Sequence, residues 1–123
     1  MVEHFTGGID LSVVSWMMGL TADPQRATRG REDVLAFIEK AQHAFNALER
    51  CPVPVIAALH GAVVGGGLEL AASCHIRVAD ETTFYALPEG SRGIFVGGGG
   101  AVRIPRLIGT ARRTDMMLTG RVY

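Results

Sequence analysis

The stretch from Pro52 to Ala72 constrains the fold of this chain more than any other, because it joins an apolar strand, a glycine triplet and a helix in one short segment. The apolar, partly β-branched run Val53 to Leu59 predicts a strand buried on both of its faces. Ala62 to Val64 continue the chain in an extended form. The triplet Gly65 to Gly67 then opens a predicted helix over residues 66–75.

A junction of strand, glycine and helix leaves the first backbone N–H groups of the helix without partners inside it. Such groups can hold an anion or stabilise an oxyanion as it forms. Glu69 lies in the first turn of the predicted helix, where the helix dipole favours its ionised form. A second interpretation is a tight turn beneath a buried helix, with Glu69 acting only on helix stability. The residues of this segment leave both interpretations open.

Two helices are predicted before this stretch. Asp10 is a suitable N-cap for an apolar helix over residues 11–19. From Val34 to Arg50 the apolar residues recur at steps of three and four, which predicts a helix with one buried face. Between these helices, Thr21 to Asp33 contains a proline, a glycine and charges of both signs, and we expect an exposed loop there.

Short strands and further helices are predicted after it. Strands at Ile76 to Ala79 and Thr83 to Tyr85 precede a glycine-rich segment, Gly90 to Ala101, that passes from a loop into a helix. Pro105 is expected to limit that helix to starting near it. A last helix is predicted at Ala111 to Leu118, before a Thr–Gly pair. The alternation of strands and helices indicates an α/β fold.

The composition sets limits on function. The 123 residues fit a single domain, 1–123, and the formal charge of zero provides no field that would attract nucleic acid or an acidic membrane. No apolar run reaches membrane-spanning length, and the start of the chain lacks a secretory pattern. The 2 cysteines and 4 histidines show no disulfide framework and no metal-ligand spacing. We therefore expect a cytoplasmic protein with no metal and no nucleic-acid or membrane partner.

Two glycine loops and two glutamates suit the addition of water to a double bond conjugated with a thioester. Charge on the carbonyl oxygen requires rigid N–H donors, which Gly66 and the Gly7–Gly8 loop can supply. Proton transfer requires a base toward water and an acid toward carbon. Glu69 suits the base role because of its helix position. Glu89 follows Pro88 between apolar neighbours, so we expect it to be desolvated and protonated, as an acid requires.

Three motifs of the chain resemble those of the crotonase (enoyl-CoA hydratase/isomerase) superfamily. They are Phe5-Thr6-Gly7-Gly8-Ile9-Asp10-Leu11, the segment Pro54 to Ala72 with its Gly-Gly-Gly-x-Glu-Leu-Ala sequence, and Pro88-Glu89-x-x-x-Gly93-x-x-x-Gly97-x-Gly99-Gly100. The match continues through Arg103 to Gly109 and Met117 to Gly120, so it covers nearly the whole chain. The resemblance implies a partial crotonase-like ββα spiral.

The resemblance also implies roles for individual residues. Gly7 and Gly66 would be the two oxyanion donors, Glu69 and Glu89 the acid/base pair, and the amide of Gly97 would help to place the attacking water. The residues that would contact the substrate are Phe5, Gly8, Ile9, Asp10 and Gly65. The implied substrate is an acyl-CoA thioester, so coenzyme A enters as part of the substrate and no separate cofactor is expected. The implied assembly is a homotrimer or hexamer.

Because members with both glutamates are generally hydratases, the resemblance favours an enoyl-CoA hydratase. An acyl-CoA double-bond isomerase and a catalytically silent interaction module are the alternatives. The chain departs from the family pattern at Val96, where proline is usual, and at His75, where aspartate is common. It is also shorter than family members, so we expect a single, incomplete crotonase-like core domain truncated at both ends. Its exposed apolar edges would favour self-association or weak stability.

Overall fold

A computed structural model of the chain describes residues 3–25 and 27–123. Five helices, four short strands and one 3₁₀ turn make up this part of the chain. In order they are α1 (Leu11–Ala22), α2 (Ala27–Glu49), β1 (Ile56–Leu59), β2 (Ala62–Val64), α3 (Gly66–Ser73), β3 (Ile76–Ala79), β4 (Phe84–Ala86), the 3₁₀ turn Gly90–Arg92, α4 (Gly100–Ile108) and α5 (Thr110–Thr119). The predicted α/β class is confirmed.

The strands form two small parallel sheets around α3. β1 pairs with β3, and β2 pairs with β4, so each pairing crosses over through the helix. A parallel bridge from Thr6 to Val63 adds the N-terminal segment to β2. At the other edge, Tyr85 and Tyr123 exchange both backbone hydrogen bonds, at 2.7 and 3.0 Å. The order strand, strand, helix, strand, strand is one turn of a ββα arrangement.

Two hydrophobic clusters form the core, and α3 lies between them. The first joins the end of α3 to α4, α5 and the segment after β4, and contains Ala72, Leu87, Val96, Ile104, Met116 and Met117. The second lies under β1 and β2 and contains Ala57, Leu59, Val63 and Ala71. Leu68 and Tyr85 pack against both clusters. α3 is therefore fixed from two sides, which holds its N-terminus in place.

The prediction that Val53 to Leu59 forms a strand buried on both faces is wrong in two respects. The strand begins only at Ile56, after two prolines that cannot donate backbone hydrogen bonds. Its side chains alternate between exposed and buried, with Ile56 at 59% exposure and Ala57 at 2%. Only one face of the two-stranded sheet packs against α3, so the other face stays open.

Two helix predictions also need correction. α2 begins at Ala27, so most of the expected loop Thr21 to Asp33 is helical. Gly30 is buried there, because it packs directly against the backbone of Leu20 at the crossing of α1 and α2. α4 begins at Gly100 and contains Pro105 in its interior, whereas we expected the helix to start near Pro105.

The remaining helix predictions are confirmed. The Asp10 side chain caps α1 by accepting a 2.8 Å hydrogen bond from the N–H of Ser12. The helix predicted over Val34 to Arg50 is the main part of α2. α5 ends at Thr119, and Gly120 follows in a left-handed conformation with φ of 72°.

Candidate active site

A cavity of about 590 Å³ lies between α1, α2 and the N-terminus of α3. Its walls are mostly apolar, and two glutamates and several glycines line it. The apolar wall includes Val14, Met17 and Met18 from α1, and Val34, Phe37, Ile38, Ala41 and Phe45 from α2. The apolar stripe of α2, predicted from its periodicity to be buried, therefore forms one wall of this cavity.

The Gly7–Gly8 loop lies beside the N-terminus of α3 because the preceding residues run alongside β2. Thr6 donates its N–H to the carbonyl of Ala62 at 3.0 Å and accepts one from Val64 at 3.2 Å. Gly8 follows with φ of 97°, where a Cβ atom would lie 3.0 Å from the carbonyl oxygen of Val64 and 3.6 Å from the nitrogen of Gly66. The structure thus brings the two glycine loops into direct proximity.

Of the five glycine amides in these two loops, two already have acceptors. Gly8 donates to Thr6 Oγ1 at 3.1 Å, and Gly65 donates to the carbonyl of Ala86 at 3.0 Å. Within residues 3–25 and 27–123, the N–H groups of Gly7, Gly66 and Gly67 have no hydrogen-bond acceptor. A Cβ at Gly7 would meet no atom within 4 Å. Two of these three unpaired amides, those of Gly7 and Gly66, belong to the residues that the resemblance assigns as oxyanion donors.

Glu69 is buried, with 6% exposure, and its carboxyl group is held by backbone amides. Oε1 accepts hydrogen bonds from Gly98 at 2.8 Å and from Gly100 at 2.9 Å. Burial raises the pKa of Glu69 above its ordinary value, although these two hydrogen bonds oppose the rise. The helix position alone predicts a favoured ionised form. In the structure, desolvation of the carboxyl group is the larger effect. The amides of Gly98 and Gly100 stabilise the ionised form and so limit the rise in pKa.

Glu89 is buried to a similar degree, at 8% exposure, where the chain leaves β4 for the 3₁₀ turn. Its Oε1 packs against Gly65, where a Cβ atom would collide with it. Oε2 is buried and has no hydrogen-bond partner among the residues that the structure describes. Burial raises the pKa of Glu89, and a hydrogen bond from its own backbone and the charge of Arg92 oppose the rise. The expectation that Glu89 is desolvated is confirmed by this exposure.

The two carboxyl groups share one site. Both glutamates line the same cavity, together with Gly8 and Gly66. The negative charge of Glu89 also contributes to the raised pKa of Glu69, which requires the two groups to be near each other. Two neighbouring carboxyl groups with perturbed pKa values in one cavity mark a candidate site for acid/base chemistry.

The other residues predicted to act in the site differ in where they lie. Ile9 and Gly97 line the cavity together with Gly8, and Gly97 also accepts a 2.8 Å hydrogen bond from Gln42 at its carbonyl. Phe5 packs against the core cluster under β1 and β2, and Asp10 caps α1, so neither contributes to the cavity wall. Gly65 lies behind Glu89. The roles assigned to these residues stay predictions.

The sequence interpretation missed a set of polar residues that fixes the glycine loop beside Glu69. Arg103 donates to the carbonyl of Gly98 at 3.3 Å, to Asn46 Oδ1, and to Glu49 Oε2 at 2.7 Å. With Gln42, these α2 residues recur at steps of four and three along one face of the helix. That spacing is the signal that would have marked a polar stripe next to the apolar one.

Neither a metal site nor a membrane span is found in residues 3–25 and 27–123. No three histidine, cysteine, aspartate or glutamate side chains of this part of the chain are grouped so that they could bind a metal ion. None of the helices described is both long enough and apolar enough to cross a membrane.

Comparison with known proteins identifies relatives of this chain. Residues 18–123 match the family model described as Enoyl-CoA hydratase/isomerase. The fatty acid oxidation complex subunit alpha of Shewanella amazonensis is 40% identical over 121 residues, which cover 97% of this chain and 16% of that protein.

Solved structures with the same fold include a candidate enoyl-CoA hydratase from Rhodopseudomonas palustris CGA009, with a TM-score of 0.83 and 54% identity. The match covers 100% of this chain and 43% of the Rhodopseudomonas chain. An enoyl-CoA hydratase from Thermoplasma volcanium GSS1 has a TM-score of 0.82 and 30% identity. That match covers 99% of this chain and 44% of the Thermoplasma chain. The partial crotonase-like fold is confirmed, and the chain spans less than half the length of these neighbours.

Proposed function

The chain belongs to the enoyl-CoA hydratase/isomerase family, and from that premise we propose that it adds water across the 2,3 double bond of an enoyl-CoA thioester. The observation that carries this proposal is the pair of buried glutamates, Glu69 and Glu89, in one apolar cavity. Within the described part of the chain, Gly66 lines this cavity with an unpaired amide, and the unpaired amide of Gly7 belongs to the loop whose Gly8 lines it. Hydration requires both a base and an acid, and an isomerisation needs only one group to move a proton.

The amides of Gly7 and Gly66 would bind the thioester carbonyl oxygen. As water attacks the β-carbon, the electrons of the double bond move toward this oxygen, and negative charge develops on it. Both amides belong to glycines, so no Cβ atom keeps the carbonyl at a distance. Their N–H groups are free of other acceptors in the described part of the chain. This arrangement supports stabilisation of the enolate that the attack produces.

The two glutamates would divide the proton transfers. Burial raises the pKa of both carboxyl groups, but Glu69 accepts two amide hydrogen bonds that oppose the rise, so we assign to it the removal of a proton from the attacking water. Glu89 has a buried oxygen without a partner in the described part of the chain, which favours its protonated form, so it delivers a proton to the α-carbon. The new C–O and C–H bonds complete the addition, and proton exchange between the two carboxyl groups restores the starting state. The amide of Gly97 is a further candidate for holding the water.

The apolar wall supports an acyl group as the part of the substrate that enters the cavity. Side chains of α1 and α2 provide this wall, and the methionines Met17 and Met18 can adapt to different chain lengths. A relative is a subunit of a fatty acid oxidation complex, which agrees with an acyl-CoA thioester as the substrate class. Coenzyme A then enters with the substrate, and we propose that no further cofactor takes part.

The test is hydration of crotonyl-CoA by the purified chain, followed as the loss of enoyl-thioester absorbance. We expect Glu69→Gln and Glu89→Gln each to lower kcat by about 10²–10⁴-fold, because each removes one proton transfer. Glu81→Gln, at an exposed turn, serves as the matched control and retains activity. Equal turnover by the wild type and both glutamine variants contradicts the proposal.

The other two functions have distinct outcomes in the same experiments. A double-bond isomerase gives a product that contains no oxygen from water. A silent interaction module binds no coenzyme A in calorimetry and forms a stable oligomer. Either result replaces the hydratase proposal.

A further inference from the structure

The four consecutive glycines Gly97 to Gly100 supply both hydrogen bonds that hold the carboxyl group of Glu69. Glycine backbone is the most flexible in proteins, so a run of four would not by itself hold two donors in a fixed direction. Side chains cannot stiffen this loop, because a Cβ at Gly98 would collide with Phe45 and one at Gly100 would collide with Glu69. The loop must be held from outside.

The two donors are held in different ways. The Gly100 N–H belongs to the peptide group whose carbonyl, on Gly99, accepts hydrogen bonds from Val102 and Arg103 in the first turn of α4. That peptide is therefore fixed by a helix. The Gly98 N–H belongs to the peptide group whose carbonyl is on Gly97, and this peptide precedes the helix.

The Gly97 carbonyl accepts a 2.8 Å hydrogen bond from Nε2 of Gln42. In a trans peptide the C=O and N–H groups point in opposite directions. Gln42 and Glu69 thus bind the two ends of a single peptide group, with Gln42 at the oxygen of Gly97 and Glu69 at the nitrogen of Gly98. If this peptide rotated, it would turn a carbonyl oxygen toward the carboxylate.

We propose that Gln42 is a positioning residue: it fixes the peptide group between Gly97 and Gly98 and, through it, the orientation and charge state of Glu69. This inference rests on the proposed role of Glu69 as the base. Gln42 does not line the cavity, so it reaches the reaction only through the peptide. Arg103 restrains the next carbonyl, that of Gly98, at 3.3 Å, so it supports the loop without holding this peptide.

The charged groups that act on Glu69 are Glu89, which raises its pKa, and Arg103, which lowers it. Both remain when Gln42 is replaced by a neutral residue. A change in the titration of Glu69 in such a variant therefore reports the lost peptide hydrogen bond. Losing a donor to the ionised form raises the pKa.

The experiment compares Gln42→Leu and Gln42→Asn with the wild type. Leucine fills the space without a donor, and asparagine stays polar but is too short to reach Gly97. His43→Leu, at the next and exposed position of α2, is the matched control. We expect both Gln42 variants to lower kcat about tenfold while KM stays within about twofold. The acid limb of the kcat/KM profile should move to higher pH.

A second readout does not depend on turnover. The carboxyl titration of Glu69 is followed by ¹³C NMR of glutamate-labelled protein, with Glu69→Gln identifying the signal. The Gln42 variants should raise this pKa relative to His43→Leu. An unchanged titration, or a change in KM alone, overturns the inference. If the wild type does not hydrate crotonyl-CoA, the proposed function fails, and the titration still decides whether Gln42 positions Glu69.

Discussion

Gly7 and Gly8 are neighbours in the chain, yet only one of them needs to be glycine for the fold. Gly8 has φ of 97° and close backbone neighbours, whereas a Cβ on Gly7 would be in open space. We expect Gly8→Ala to destabilise the protein by about 1–3 kcal/mol, because alanine is strained in that conformation. Gly7→Ala should change stability by less than about 0.5 kcal/mol. Urea unfolding of both variants measures this, and equal losses would contradict it.

Glu89 should make stability depend on pH. Burial raises its folded pKa above the ordinary value, so over the interval between the two values the folded state holds a proton that the unfolded chain releases. The contribution of Glu89 to stability is therefore fully present below the ordinary pKa of glutamate, and it is lost as the pH rises through the folded pKa. Urea unfolding at about pH 5 and pH 8 should show a smaller decline in Glu89→Gln than in the wild type. An identical decline would show that Glu89 ionises normally.

The sequence predicts which residues form the site, but it does not predict the pKa shifts of the two glutamates. The three sequence motifs are sufficient to mark Glu69, Glu89, Gly7 and Gly66. The raised pKa of Glu69 depends on burial by distant segments, and its two donors come from a loop about thirty residues further along the chain. Local helix position cannot report such contacts.

At the scale of elements, α1 and α2 form the cavity wall, and their crossing depends on Gly30. A Cβ on Gly30 would overlap the carbonyl of Leu20, whereas one on Gly19 would meet nothing within 4 Å. We expect Gly30→Ala to destabilise the protein by about 1–3 kcal/mol through forced separation of the helices. Gly19→Ala should be neutral or stabilising by up to about 1 kcal/mol, because alanine favours helix. Thermal unfolding of the two variants tests this, and comparable stability would show that the crossing tolerates a side chain.

The elements predicted correctly are those with strong local signals, such as the periodic apolar residues of α2 and the Asp10 cap of α1. The misplaced boundaries arise where tertiary contacts overrule those signals. A glycine such as Gly30 is typical of a loop in the local sequence. In the structure it lies in a helix, because it allows α1 and α2 to pack closely. Pro105 is typical of a helix start, and local sequence does not show that α4 continues through it.

At the scale of the whole molecule, the outer face of the sheet formed by β1 and β3 is apolar and uncovered. The pairs Ile56 with Ile76 and Ala58 with Val78 lie side by side, and Ile56, Ile76 and Val78 are 48–59% exposed. We expect the chain to self-associate through this face, with a sedimentation mass that rises with concentration. Val78→Lys should reduce association, and Leu118→Lys on α5 should not. Equal association by both variants would place the interface elsewhere.

The central claim is that two glutamates in one cavity direct water to an enoyl thioester. The most direct measurement is the mass of the product formed from crotonyl-CoA in H₂¹⁸O. We expect a 3-hydroxyacyl-CoA that carries one heavy oxygen, formed by the wild type and not by Glu69→Gln or Glu89→Gln. A product isomeric with the substrate and free of heavy oxygen would contradict the claim.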